Sequence, residues 1–261
     1  GESFGEPVKI PTPKDDFAEG VRCFVEKARE LAGGEKIQVV AGGIAGPLDR
    51  EKSMLVNAPN IGGWNNKPLK EELEKSLSCE VYLENDTAVV GIGEAYAGAG
   101  RGVDILAYIT VSTGVGGVRI VGGEVDRNFL GFEIGHHIID LSKTENLAHP
   151  ERGTVENLIS GTAFERIYSK KPIDVGEDEA WERAARELAV ALNNVAVFWS
   201  PEVIVLGGSM IVGDPAIHID RVEYFFNNIL KIFPEKPKIK KAELGDSGGL
   251  YGALQLLKLH I

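Results

Sequence analysis

Four short stretches of this sequence carry residue types that can do chemistry. Glu84-Asn85-Asp86 closes the run VYLE. A polar triplet at the carboxyl end of a strand in an α/β fold occupies the usual ligand crevice. Asp86 there can accept a proton from a hydroxyl while Asn85 fixes the group that gives it up. The same residues also suit the start of a helix, so a plain capping role stands beside the catalytic one.

Ser112-Thr113-Gly114-Val115-Gly116-Gly117 joins two apolar runs. Glycines let successive N–H groups converge on an anion, and the hydroxyls add donors. No lysine follows, so this is not a Walker loop, and an ordinary hairpin turn is the alternative. Gly207-Gly208 ends the run VIVLGG, which fits either a helix start or a close approach to a nucleotide. Glu133-x-x-His136, with His137 beside it, combines acceptor and donor as a polyhydroxylated ligand requires. Half of a metal site is the lesser alternative, with Asp140, His149 and Glu156 nearby but no thiolate. His137, followed by two isoleucines, also reads as a semi-buried histidine with no ligand at all.

These stretches need elements to hold them. Residues 14–33 place Phe17, Val21, Phe24, Val25, Ala28 and Leu31 on one helical stripe, stopped by Gly33-Gly34. KIQVVAGGIAGPLD reads as a strand ending in a glycine turn, 68–77 as a short helix, and VYLE as a strand running into a helix near Asn85-Asp86. ILAYITVSTGVGGVRIVGGEV reads as two strands joined by the Ser-Thr-Gly turn, and 129–160 as irregular. Residues 177–199 form a long helix with Trp181, Ala184, Ala185, Leu188, Leu192, Val195 and Phe198 on one face. A strand, a helix over about 216–230, a charged edge strand EKPKIKKAEL and a final helix complete the chain. Strands alternating with helices argue an α/β fold with helices covering the sheets.

Composition narrows the function. A chain of 261 residues is long enough to bury a large core. Its 32 glycines, about 12% against the usual ~7%, point to many tight turns and close backbone approaches. The net charge of -11 and the absence of a basic run disfavour nucleic acid. No apolar run approaches the roughly 20 residues of a membrane span. Two isolated thiols, Cys23 and Cys79, make no disulfide framework. A cytoplasmic protein is the expectation.

Several ordered segments together resemble the ROK family of sugar kinases, within the actin-like ATPase superfamily. They are GGIAGPLD at 42–49, APNIGGW at 58–64, LENDTAVVGIGEAYAGAGRG at 83–102, STGVGG at 112–117 and GFEIGHH at 131–137. GTVENLISG at 153–161 and PEVIVLGG at 201–208 extend the resemblance over essentially the whole chain. It implies a two-lobed actin-like (ribonuclease H-like) α/β fold with a cleft between the lobes. One lobe would take residues 1–106 and recover a C-terminal helix at 247–261; the other would take 107–246. It implies Asp86 as general base and Gly63, Asn85, Glu133, His136 and Glu156 as sugar-binding residues. Thr113, Gly114, Gly116 and Gly117 would hold phosphate, with Gly207 and Gly208 on the adenosine side. ATP and Mg2+ would be the cofactors, a homodimer the assembly, and a neutral hexose the substrate. Glucose is expected ahead of fructose or N-acetylmannosamine, and a non-catalytic sugar-binding or regulatory protein is the rival reading.

Two departures stand out. Most members carry CxCGxxGC between the histidine and the last glutamate, holding a structural zinc, whereas this chain has no cysteine between His136 and Glu156. No structural zinc and no other resident metal is expected. The family also opens with an Asp-x-Gly-Gly-Thr strand-turn that handles phosphate and Mg2+. This chain begins GESFGEPVKIPTPKDD, which resembles the segment beyond that turn. A fragment is the expectation, because loss of a central strand would expose its neighbours.

Overall fold

The computed structural model describes residues 4–144, 149–176 and 178–260. In chain order the elements begin with α1 Phe17–Ala32, β1 Val39–Ile44, α2 Leu69–Leu77, β2 Glu80–Asn85 and α3 Asp86–Tyr96. Next come β3 Ile105–Val111, β4 Val115–Val121, β5 Glu124–Val125, α4 Val155–Ile159, α5 Gly161–Tyr168 and α6 Asp178–Trp199. The last are β6 Val203–Gly207, α7 Ser209–Val212, α8 Ile219–Ile229, β7 Lys238–Lys241 and α9 Gly248–Lys258. The chain divides into two compact units. One comprises Gly1–Gly93, Arg127–Gly131 and Asp246–Ile261; the other comprises Glu94–Asp126 and Phe132–Gly245.

In the first unit β1 and β2 pair in parallel, from Val39 opposite Glu80 to Ile44 opposite Asn85. Asp16 caps α1 by accepting the Glu19 N–H, and Gly33 ends it in the left-handed conformation. The helix buries Val21 and Val25 against Trp64, Leu69, Leu73, Leu77 and Val81. The stripe predicted for α1 is therefore narrower than expected: Phe24 and Leu31 are exposed. Helix α1 packs on α2, and these two side chains lie outside the part of the stripe so covered. Helix α9 packs on β1, and it meets α3 at glycines. A Cβ on Gly93 would run into the Gly248 carbonyl oxygen, and one on Gly252 into that of Val89.

The second unit is built on a mixed five-stranded sheet of order β5-β4-β3-β6-β7. β3 runs antiparallel to β4 and parallel to β6, which runs parallel to β7. Lys-rich β7 lies at the edge, where its charges discourage further pairing. Strand β6 is buried along its whole length, as expected of a parallel strand covered on both faces. Helices α4, α7 and α8 contact the sheet, and α6 packs on α4 and α8. The expected face of α6 is buried from Trp181 to Val195, but Phe198 is exposed, because it lies in the last turn before the helix ends at Trp199. Within the stretch expected to be irregular, α4 forms under a Thr154 cap that accepts the Asn157 N–H, and α5 follows it at Gly161 under a Ser160 cap that accepts the Ala163 N–H.

Glu94 is the least exposed charged side chain in the described core. Its carboxylate accepts N–H bonds from Ala99, Glu243 and Leu244 at 2.9–3.2 Å. It thereby ties the turn after α3 to the strand exit after β7. A lone glutamate in an otherwise apolar helical run was the sequence signal for it.

Candidate functional site

In the first unit, the carboxyl end of β2 brings three of the sequence motifs together. Asn85 is the cap of α3: its Oδ1 accepts the Thr87 and Ala88 N–H groups at 3.0 and 3.3 Å. Its Nδ2 donates to the Gly46 carbonyl at 3.1 Å. Gly46 has φ +119°, and a Cβ there would lie 2.7 Å from that of Ala58, so GGIAGPLD and APNIGGW also meet. Glu84 is buried, accepts the Asn85 N–H at 2.9 Å and pairs with Lys52.

Because Asn85 takes the capping role, Asp86 does not. Its side chain is exposed, and among the described residues its hydrogen bonds come from Thr87 alone. Gly63 sits where a side chain would meet the Asp15 backbone at 2.6–2.7 Å. Asp49, at the end of GGIAGPLD, accepts from Ser53 and Met54. Partial burial pushes its carboxyl up, but those hydrogen bonds outweigh burial and hold it below the usual carboxylate range.

In the second unit the remaining candidates form one connected cluster. The turn between β3 and β4 is only Ser112-Thr113-Gly114; Gly116 and Gly117 lie within β4, opposite Thr110 and Ile109. Gly117 is needed for packing, since a Cβ there would lie 2.7 Å from Ile109 and Ile134. The start of α5 ties the turn down. Gly161 N–H donates to the Ser112 carbonyl at 2.7 Å, and Thr162 Oγ1 donates to the Thr113 carbonyl at 2.9 Å. Glu156 accepts the Val115 N–H at 2.9 Å, and its carboxylate occupies the space a Gly114 side chain would need.

Gly207 ends β6 beside Tyr108. Gly208 follows at φ +86°, where a Cβ would collide with the Val111 carbonyl. The Ser209 and Ser112 hydroxyls are 3.0 Å apart, so both glycine turns share one edge of the sheet. Glu133 precedes and His136 ends a single 3-10 turn, with 3.9 Å between carboxylate and imidazole, both well exposed. Gly135 between them presses on the Val115 carbonyl, which brings this pair to the same turn. His137 points elsewhere: Nδ1 lies 2.6 Å from the Ile134 carbonyl and Nε2 is buried. Burial lowers its pKa, and the bond to Ile134 offsets this only in part.

A cavity of about 460 Å³ is lined by Val175, Gly176, Trp181, Asp214, Pro215 and His218, among others. Its walls come from the segments that follow α5 and α7 and from the first turns of α6 and α8. Residue order carries little signal for it, since Trp181 reads there as one member of the α6 stripe.

Taken together, mixed sheet, glycine turns and motif order define a member of a known family. The chain belongs to the ROK family, whose model matches residues 5–260. It is 27% identical to the glucokinase of Thermotoga maritima, over 92% of this chain and 86% of that protein. It is 28% identical to the N-acetyl-D-glucosamine kinase of Vibrio cholerae, over 94% and 89%. Among solved structures, the ROK hexokinase of Thermus thermophilus matches with TM-score 0.79 and 27% identity, over 96% of this chain and 90% of that one. A ROK family glucokinase from Streptomyces griseus, solved with glucose and AMPPNP, matches with TM-score 0.75 and 25% identity, over 95% and 90%. The resemblance read from the motifs therefore holds.

The family's zinc does not fit the residues present. Among the described residues no three His, Cys, Asp or Glu side chains converge as a metal site. His136 faces Glu133, and His149 faces Glu151 at 3.3 Å. No described helix is long and apolar enough to cross a membrane.

Proposed function

We propose that this protein phosphorylates a neutral hexose, glucose first, with Mg-ATP as the phosphoryl donor. The observation that carries the reading is the division of labour at the end of β2. Asn85 satisfies the helix N–H groups, which leaves the Asp86 carboxylate exposed and able to take a proton. In this reading Asp86 accepts the proton of a sugar hydroxyl as its oxygen attacks the γ-phosphorus in line. Asn85 and the neighbouring Gly63 segment hold the sugar from the first unit; Glu133, His136 and Glu156 hold it from the second. The expected two-lobed arrangement with its cleft, which would exclude water on closure, belongs to the same proposal.

Mg-ATP enters as a substrate. The Ser112-Thr113-Gly114 turn supplies hydroxyls and backbone N–H groups for its phosphates, and Gly207-Gly208 let the chain approach closely. The cavity beyond α5 and α7 is of a size for the nucleoside. Kinship with a glucokinase and an N-acetylglucosamine kinase supports a hexose. The carboxylates of Asp86, Glu133 and Glu156 favour an uncharged sugar over a sugar acid, by simple repulsion.

The test is a phosphoryl-transfer panel with Mg-ATP on the natural full-length protein. It would include glucose, fructose, mannose, N-acetylmannosamine, N-acetylglucosamine and gluconate. Sugar-dependent ADP release led by a neutral hexose is the expected result. Preference for gluconate would overturn the electrostatic argument. Sugar binding without turnover would replace the kinase by a regulatory sugar-binding protein.

A further inference from the structure

His136 and Glu156 stand at the two ends of a stretch that contains no cysteine, and backbone hydrogen bonds join those ends. Ile138 and Thr154 form an antiparallel bridge. On one side of it the Val155 N–H donates to the His137 carbonyl at 3.1 Å. On the other, the Ile139 and Asp140 N–H groups both donate to the Gly153 carbonyl, at 2.9 and 3.2 Å. Thr154 is buried between them. Its hydroxyl donates to the Glu151 carbonyl at 2.7 Å and accepts from Asn157. Gly153 has no room for a side chain: a Cβ would run into the Asp140 carbonyl and lie 2.9 Å from the Thr144 methyl.

We propose that this clasp is the metal-free substitute for the zinc of cysteine-bearing relatives, and that Gly153 and Thr154 are its positioning residues. The reason is register. His136 immediately precedes the first clasp residue and Glu156 immediately follows the last, so the bridge holds the 3-10 turn that ends at His136 beside the helix α4 that carries Glu156. A zinc ion would tie the same two ends through side chains. Here the ends are tied by main-chain bonds that need no thiolate, and the Glu156 seat on the Val115 N–H carries the restraint on to the Ser112-Thr113-Gly114 turn. The clasp rests on the proposed function only where sugar affinity is the readout.

Residue-resolved amide hydrogen exchange on the full chain tests it, with glucose affinity measured alongside. In the wild type, EDTA should leave the Ile139, Asp140, Val155 and Val115 amides as protected as before. Gly153→Ala should speed exchange at all four by about tenfold, the scale of one or two lost hydrogen bonds. It should weaken glucose binding by a similar factor while kcat at saturating sugar changes little. Thr154→Val, a milder variant, should shift the same amides less, and Thr154→Ser should restore them. Faster exchange at these amides on chelation would overturn the proposal. So would a Gly153→Ala protein in which Ile139 and Asp140 exchange faster but Val115 stays protected. A wild-type chain that binds no hexose would sink the proposed function instead, and the amides would then judge the clasp by themselves.

Discussion

Asp86 and Glu156 begin alike and end differently. Each sits in the first turn of a helix capped by a side chain, Asp86 one residue after Asn85 in α3 and Glu156 two residues after Thr154 in α4. Asp86 is short, exposed and, among the described residues, bonded only to its neighbour Thr87. Glu156 is one methylene longer and reaches the Val115 N–H on another strand. One carboxylate is left available to a reacting group, while the other is engaged in shaping the turn that a reacting group would meet. A carboxylate in a recognisable motif is thus informative only once its hydrogen-bond partners are known.

The sharpest way to break this contrast is Asp86→Asn in the complete protein. Turnover should fall by about 10²–10⁴, the usual worth of a positioned proton acceptor, while sugar affinity and melting temperature hold. Steady-state kinetics and calorimetry of both proteins decide it, and retained turnover would remove Asp86 from the chemistry.

Glu94 supplies the opposite extreme, a carboxylate wholly committed to backbone. Glu94→Ala leaves the Ala99, Glu243 and Leu244 N–H groups without their acceptor and should cost about 3 kcal/mol. Urea denaturation would show it as a lower midpoint. An unchanged midpoint would mean that water replaces the carboxylate without loss.

Glu156 falls between the two. Glu156→Ala removes the Val115 bond and should loosen the 112–114 turn by about 1 kcal/mol, read as weaker nucleotide binding. Glu156→Gln keeps an acceptor for that N–H, so nucleotide affinity should survive while sugar affinity drops. Equal loss of both ligands in the two variants would show that the turn does not depend on this bond.

The smallest effect concerns His137, whose burial holds the ring below its ordinary pKa of about 6.5. The unfolded chain takes up this proton first as pH falls. Stability tied to the neutral ring is therefore complete above about pH 6.5 and is lost as pH drops toward the folded value. Melting temperatures between pH 8 and pH 5 should fall less for His137→Gln than for the wild type. Parallel curves would assign the acid sensitivity to other groups.

Much of the framework was legible in the residues. The stripe of α6 and the glycine stop of α1 are local matters of helical period and left-handed caps. The β3–β4 hairpin and the charged edge strand β7 likewise follow from alternation and turn chemistry. Exposure of Phe24, Leu31 and Phe198 was not legible, because a stripe states which residues share a face and not how much of that face finds a partner. Helices α4 and α5 were missed because each is short and is started by a single side-chain cap, a signal that any serine or threonine can imitate.

The sequence by itself determined the order of motifs, and with it the family, because those spacings are covalent. It also determined that no thiolate lies between His136 and Glu156. Only the tertiary structure decided which polar group does which task. Asn85 rather than Asp86 caps α3, Glu156 rests on Val115, and the Ile139 and Asp140 N–H groups meet the Gly153 carbonyl. These are hydrogen bonds between groups brought together by folding, and a donor's choice of acceptor depends on ångström-scale positions that residue order does not encode.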